Sequence, residues 1–357
     1  MKRENTRTIR VGDVAVGGVS PVSVQSMCNT KTEDVDATLS QIAALAAAGC
    51  DIIRLAVPNE AAAKALPAIR KGTKMPLVAD IHFDYKLALA AADAGFDAIR
   101  INPGNIGSND RVKLVADACR ANGAPIRIGV NSGSIPKDLL EKYGATPEAL
   151  VASALRHVHI LEDLNFEDIC VSLKSSSVPD TVAAYRLMAE KTDYPLHLGV
   201  TEAGTPYMGI IKSAAGIGAL LLDGIGGTLR VSLTADPVEE VKAGIAILKA
   251  ANLRREGADI VSCPTCGRTN IDLISLANEV AEKLKNIKTP LTVAVMGCVV
   301  NGPGEAREAD YGIAGGNGEG VLFKKGEIVG KVPEANLASA LVALILREEK
   351  GVITAEP

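Results

Sequence analysis

Leu77-Val78-Ala79-Asp80-Ile81-His82, then the Ala-rich run Tyr85–Ala94, then Gly95, then Ala98-Ile99-Arg100-Ile101-Asn102: this stretch decides the fold. Two short apolar runs of strand length flank one helical segment, and Gly95 stands where a helix needs a left-handed C-terminal residue. That order is a strand–helix–strand unit with parallel strands. The same alternation extends in both directions. Strands are expected at Val22–Gln25, Ile52–Val57, Leu77–Ile81, Ala98–Ile101, Ile126–Val130, Ile169–Leu173, Leu196–Val200 and Thr228–Leu233. Helical segments between them include Thr38–Ala48, Glu60–Lys71, Arg111–Asn122, Pro147–Leu164 and Thr181–Lys191, with Gly49, Gly72 and Gly123 as further stops. Eight such strands over about 235 residues match a (β/α)8 TIM barrel in number and length. A doubly wound open sheet competes, but no Gly-rich fingerprint follows its first strand.

The helix Pro237–Leu253 closes the barrel, and Arg254-Arg255-Glu256-Gly257 reads as a linker. Residues 1–253 are therefore one domain, and 258–357 a small α+β domain. Its expected order is strand Ala258–Ser262, helix Asn270–Lys285, strand Leu291–Met296, a Gly-rich hairpin over Tyr311–Val332 and a helix over Pro333–Glu349. The run Gly315-Gly316-Asn317-Gly318-Glu319-Gly320 lacks phosphate-loop spacing and opens no helix, so it reads as a hairpin turn.

Composition excludes several classes. With 47% hydrophobic and 22% charged residues, the chain is not disordered. A net charge of −4 and only 3% aromatics provide neither a basic surface nor stacking platforms for nucleic acid. The Met1–Arg7 start carries no apolar signal core, and the apolar stretch Leu337–Leu346 is far short of the roughly 18 residues of a membrane span. A cytoplasmic location is expected.

Buried parallel strands are normally unbroken apolar runs. Here nearly every one carries or runs into a polar residue. Arg54, Asp80 with His82, Arg100 with Asn102, Arg127 with Asn131, Ser172 with Lys174, His197 with Glu202, and Arg230 with Ser232 fall on or after successive strands. Any one of them alone is explained by a salt bridge or a snorkelling side chain. Together, Arg54, Arg100, Arg127, Lys174 and Arg230 place five cations at the mouth where barrel active sites lie. Asp80 and Glu202 are too few to balance them, so a polyanion, best a diphosphate, is the expected ligand.

The seven cysteines divide unevenly. Cys28, Cys50, Cys119 and Cys170 are scattered and read as buried, inert thiols. Cys263 and Cys266, in Cys263-Pro264-Thr265-Cys266-Gly267, gather with Cys298 within 36 residues. A C-x2-C pair with a third cysteine on a Gly-rich loop is metal-ligand spacing. Structural zinc is one reading, but closed zinc sites take four Cys or His ligands. All four histidines lie in the first 200 residues, so the site is either open or completed by oxygen, with Glu305 the nearest suitable carboxylate. Three thiolates with an unusual fourth ligand suit a [4Fe–4S] cluster.

These motifs resemble a known family. Ser23-Val24-Gln25-Ser26-Met27-Cys28-Asn29-Thr30-Lys31-Thr32, the Cys263–Gly267 motif and Gly297-Cys298-Val299-Val300-Asn301-Gly302-Pro303-Gly304-Glu305 are similar to those of the 4-hydroxy-3-methylbut-2-en-1-yl diphosphate synthases of the methylerythritol phosphate pathway. The resemblance spans the chain and implies the two-domain bacterial form. It implies cluster ligands Cys263, Cys266, Cys298 and Glu305. It also implies substrate-binding residues Arg54, Asp80, His82, Arg100, Arg127, Asn131, Lys174, Glu202, Arg230 and Ser232; of these, Glu202 is expected to handle protons, since it could donate to a departing hydroxyl.

The implied reaction is a two-electron reductive ring opening of 2-C-methyl-D-erythritol 2,4-cyclodiphosphate. Nothing in the chain resembles a nicotinamide or flavin site, so a flavodoxin or ferredoxin is the expected electron donor. The closing helix runs back to the bottom of the barrel, and roughly four linker residues span at most about 14 Å. The cluster is therefore expected to meet substrate in a partner chain, as a head-to-tail homodimer. Competing readings are a phosphate-sugar aldolase or isomerase with a structural zinc domain, and a non-enzymatic iron–sulfur carrier or redox sensor.

Overall fold

Helix starts in the first 250 residues are fixed by short polar side chains that take up orphan backbone N–H groups. Asp34 accepts from Ala37, Asn59 from Ala62, Asp84 from Lys86, Ser177 from Asp180 and Asp236 from Val238. Each such cap contributes on the order of 1 kcal/mol. The computed structural model describes residues 2–298 and 308–353. The chain divides into two units, Met1–Arg254 and Arg255–Pro357.

The first unit is the TIM barrel that the strand count predicts. Its strands are Ser23–Met27, Ile52–Ala56, Leu77–Asp80, Ala98–Ile101, Ile126–Asn131, Ile169–Lys174, His197–Leu198 and Thr228–Leu229, referred to below as the first to eighth. All pair in parallel. The first six are neighbours in order, and the eighth lies between the first and the seventh. A bridge between Val171 and Leu196 joins sixth to seventh and closes the ring. Helices Val35–Ala47, Glu60–Gly72, Tyr85–Asp93, Asn109–Asn122, Pro147–Glu162, Val178–Lys191, Pro206–Leu222 and Pro237–Ala250 follow the successive strands. The main core lies between strands and helices and includes Leu45, Ile53, Leu66, Ile99, Val115, Ile128 and Leu161.

Two details depart from expectation. Gly49, Gly95 and Gly123 do have positive φ, at 92°, 78° and 64°. Gly72 does not: it is the last helical residue, and the chain leaves through extended Thr73. A Cβ on Gly72 would come within 2.5 Å of Leu39 Cδ1, so close helix packing explains this glycine. The second departure is an antiparallel hairpin, Thr8–Val11 with Val14–Gly17, ahead of the first barrel strand. Its Ile9, Val11 and Val16 pack on Ile52, Val78, Ala98 and Cys170 and form an apolar floor under the barrel.

The second unit is a five-stranded mixed sheet. Ala258–Ser262, Leu291–Met296 and Tyr311–Gly315 run parallel; Glu319–Lys324 and Glu327–Pro333 follow as antiparallel neighbours. Helices Leu273–Leu284 and Leu337–Ile353 pack together over a core of Val280, Val293, Val295, Ile313 and Leu341. The Gly316–Gly318 stretch is the expected hairpin turn, with Gly318 at φ 75°. No helix among the described residues is long and apolar enough to cross a membrane.

Candidate active site

Above the apolar floor the barrel interior is polar. Asp80, Arg100, Arg127, Lys174 and His197 are all at least nine-tenths buried. Asp80 Oδ1 accepts from Arg100 Nη1 at 3.0 Å, and Oδ2 lies 3.5 Å from Arg54 Nε. Arg100 also donates from Nη2 to the Gly129 carbonyl at 2.9 Å, and its Nη1 lies 3.1 Å from His82 Nε2. Two bare backbone positions make room for cations. A Cβ on Gly129 would fall 2.4 Å from Arg100 Nε, and one on Gly199 would fall 2.9 Å from Lys174 Nζ.

Arg127 sits deeper than a rim residue. It is the second residue of its strand and lines a small cavity over the floor with Gln25, Cys170 and Thr228. Its Nη1 donates to Gln25 Oε1 at 2.9 Å, while Nε and Nη2 are buried without a partner among the described residues. Arg230 directs its Nε and Nη2 at the carboxylate of Glu240, 3.2 and 3.1 Å away. Glu240 lies on the helix Pro237–Ala250, is 3% exposed, and also accepts from the Leu233 backbone N–H.

Among the described residues, five cationic side chains thus meet two buried carboxylates, Asp80 and Glu240, so cationic groups outnumber their counter-ions in the interior. The electrostatics follow from that excess. Burial, then Arg54 and Arg230, push the Lys174 ammonium well below its usual pKa. Burial lowers Arg127 to about 10. Burial alone would raise Asp80, but Arg54 and Arg100 outweigh it and hold the carboxyl at about 2. His197 is driven well below the usual imidazole range by burial and then by Arg127 and Lys174, and both its ring nitrogens are unpartnered among the described residues. An anion placed here relieves the repulsion among these cations and satisfies the open donors.

The remaining predicted barrel residues are less enclosed. Asn131, the last residue of the fifth strand, and Ser232, after the eighth, are half-buried, and His82 is exposed beside Arg100. Glu202 is exposed in the loop after the seventh strand, with a left-handed φ of 52° that a non-glycine residue rarely adopts. Gln25 and Met27 belong to the Ser23–Thr32 motif but have no role assigned from the sequence, and Glu240 is not singled out there, although each contacts a predicted cation. Met27 Sδ lies 3.2 Å from Arg54 Nε and 3.8 Å from Arg230 Nη1.

In the second unit, neighbouring parallel strands deliver the cysteines. Cys263 follows Ala258–Ser262 directly, and Cys298 lies two residues beyond Met296, so both loops leave the same edge of the sheet. The Gly297 N–H donates to Cys263 Sγ at 3.3 Å. The Asn270 N–H reaches the Gly297 carbonyl at 3.3 Å, and Thr269 Oγ1 accepts from Cys266 N, tying the C-x2-C turn to the Cys298 loop. The backbone N–H and guanidinium of Arg268 lower the Cys266 thiol below its ordinary pKa. Thiolate-favouring donors around sulfur suit a metal or iron–sulfur ligand set. Among the described residues no three His, Cys, Asp or Glu side chains stand at metal-holding spacing. The fourth predicted ligand, Glu305, lies outside the described residues.

Fold and site together define a TIM-barrel protein with a polycationic interior and a cysteine-bearing α+β unit. Solved TIM-barrel enzymes share the fold over about 70% of the chain. Dihydropteroate synthase of Stenotrophomonas maltophilia superposes with a TM-score of 0.51 at 14% identity, covering 69% of this chain and 97% of that one. The 3-dehydroquinate dehydratase of Geobacillus kaustophilus gives 0.50 at 15%, covering 70% and 99%.

The whole chain matches elsewhere. The GcpE TIM-barrel domain matches residues 6–245, and the GcpE protein C-terminal domain matches residues 259–347. The chain belongs to the GcpE family. It is 64% identical to the 4-hydroxy-3-methylbut-2-en-1-yl diphosphate synthase (flavodoxin) of Geobacter sulfurreducens, over 96% of this chain and 97% of that one. The enzyme of the same name from Clostridium perfringens is 60% identical, over 97% and 99%.

Proposed function

We propose that this chain catalyses the reductive ring opening and dehydroxylation of 2-C-methyl-D-erythritol 2,4-cyclodiphosphate to (E)-4-hydroxy-3-methylbut-2-enyl diphosphate in isoprenoid biosynthesis. Two electrons and two protons enter, and one water leaves. The observation that carries this reading is the excess of buried positive charge in the barrel of a chain that also ties three cysteines to one sheet edge.

Arg54, Arg100, Arg127, Lys174 and Arg230 hold the diphosphate, and their charge stabilises the anion that ring opening releases. Asp80 and His82 orient Arg54 and Arg100. Asn131 and Ser232 supply neutral polar contacts at the mouth. Glu202 donates a proton to the departing hydroxyl from its exposed loop. Cys263, Cys266, Cys298 and Glu305 hold a [4Fe–4S] cluster, which when bound supplies electrons singly. A reduced flavodoxin or ferredoxin delivers them, in the cytoplasm.

The active assembly is a head-to-tail homodimer. Arg254 is pinned to Asp51, just before the second strand and so at the bottom of the barrel, by a contact of 3.3 Å. The first strand of the second unit begins at Ala258. Three residues, 255–257, intervene, and the reading of sites shared between two chains rests on this short linker. The helix Pro206–Leu222 supplies a face for a second copy. Its exposed residues include Tyr207, Met208, Ile210, Ile211 and Leu222, with half-buried Lys212 as the charge on the same helix.

The competing zinc-domain aldolase or isomerase lacks a histidine in the second unit to complete a zinc site. Anaerobic purification followed by iron, sulfide and zinc analysis decides between them. Stoichiometric iron and sulfide with broad visible absorption supports the cluster; a colourless protein holding zinc overturns it.

A further inference from the structure

The segment Ser23–Thr32 was singled out only for its resemblance, and its inward-facing side chains give it a physical task. Gln25 is 4% exposed. Its Oε1 accepts from Arg127 Nη1 at 2.9 Å, and its Nε2 donates to Thr228 Oγ1 at 3.0 Å. Thr228 Oγ1 in turn donates to the Ser23 carbonyl at 3.1 Å. A hydroxyl has one proton, and Thr228 gives it to that carbonyl, so Thr228 offers Gln25 only a lone pair. The amide of Gln25 therefore has one permitted orientation. Reversed, it would turn its NH2 against the guanidinium. This buried relay ties the first, fifth and eighth strands and commits Nη1 of Arg127. The edge left over is Nε with Nη2, buried and unpartnered among the described residues.

We propose that Gln25 is a positioning residue: it locks Arg127 so that its Nε–Nη2 edge is presented, already oriented, to the anionic ligand. The inference rests on the reading of the barrel as a diphosphate site. An untethered arginine must fix its long side chain at the moment of binding, and a tethered one has already done so. Gln25 acts only through Arg127, and this sets the test.

The measurement is binding of inorganic pyrophosphate to anaerobically purified protein by calorimetry, for wild type, Q25L, R127A and the double variant. Q25L should weaken binding about 10-fold, which corresponds to roughly 1.4 kcal/mol. R127A should weaken it at least as much, and Q25L should cost nothing further in the R127A background. The visible spectrum should stay unchanged throughout. T228V cuts the relay without touching Arg127 and provides a second probe should Q25L fold poorly; its smaller effect should likewise vanish beside R127A. Wild-type affinity in Q25L and T228V, or full additivity with R127A, overturns the positioning role. Normal affinity in R127A would overturn the diphosphate site itself, an outcome distinct from failure of Gln25 alone.

Discussion

Among the described residues, Lys174 pairs with no carboxylate. Burial and four neighbouring arginines depress its pKa, and an anion bound beside it favours its charged form. Lys174→Ala should therefore weaken pyrophosphate binding by about 10- to 150-fold, from the loss of roughly 1.5–3 kcal/mol of charge-assisted bonding. Titration calorimetry checks this, and unchanged affinity would remove Lys174 from the ligand shell. Asp80 behaves oppositely. Its carboxyl sits at about 2 against an ordinary 3.8, so it contributes stability above the ordinary value that is lost as pH falls through about 2. Urea unfolding should show the wild-type advantage over Asp80→Asn shrinking across that acid window. A gap that does not change with pH would mean the ion pairs with Arg54 and Arg100 do not perturb Asp80.

Glu240 links an element to the site. From the helix Pro237–Ala250 it holds both Arg230 and the backbone of Leu233, and so fixes the loop that carries Ser232. Glu240→Ala leaves a largely buried guanidinium uncompensated, and breaking such a pair costs about 3–5 kcal/mol. The check is denaturant unfolding, in which the midpoint should fall with an unchanged slope; near-wild-type stability would show that Arg230 finds another partner.

The sequence could not reveal Glu240. Its contact with Arg230 depends on where a helix lands on the eighth strand, and residues ten apart across a loop carry no periodic signal. Gln25 was hidden for the same reason, since its partners lie 102 and 203 residues away. The strands themselves were readable because two-sided burial writes them as apolar runs, within a few residues at each end. The floor hairpin was not: two four-residue strands are too short for alternation to stand out. The cations were conspicuous against those apolar runs, whereas the depth of Arg127 required the register.

For the whole molecule, the proposal of sites shared between two chains is tested by complementation. Mixing an inactive Cys298→Ser chain with an inactive Arg127→Ala chain, with subunit exchange demonstrated separately, should restore activity. One of the two sites in a mixed dimer then combines an intact barrel with an intact cysteine unit. No recovery would mean that each chain uses its own cysteines.

The most direct test of the account is an electron count during turnover. Anaerobically purified protein should be supplied with the cyclic diphosphate and a known amount of reduced flavodoxin, with phosphorus NMR following the ring opening. The account predicts one linear allylic diphosphate formed for every two electrons consumed. Conversion without consumption of reductant, or no conversion by protein with a full complement of iron and sulfide, would contradict it.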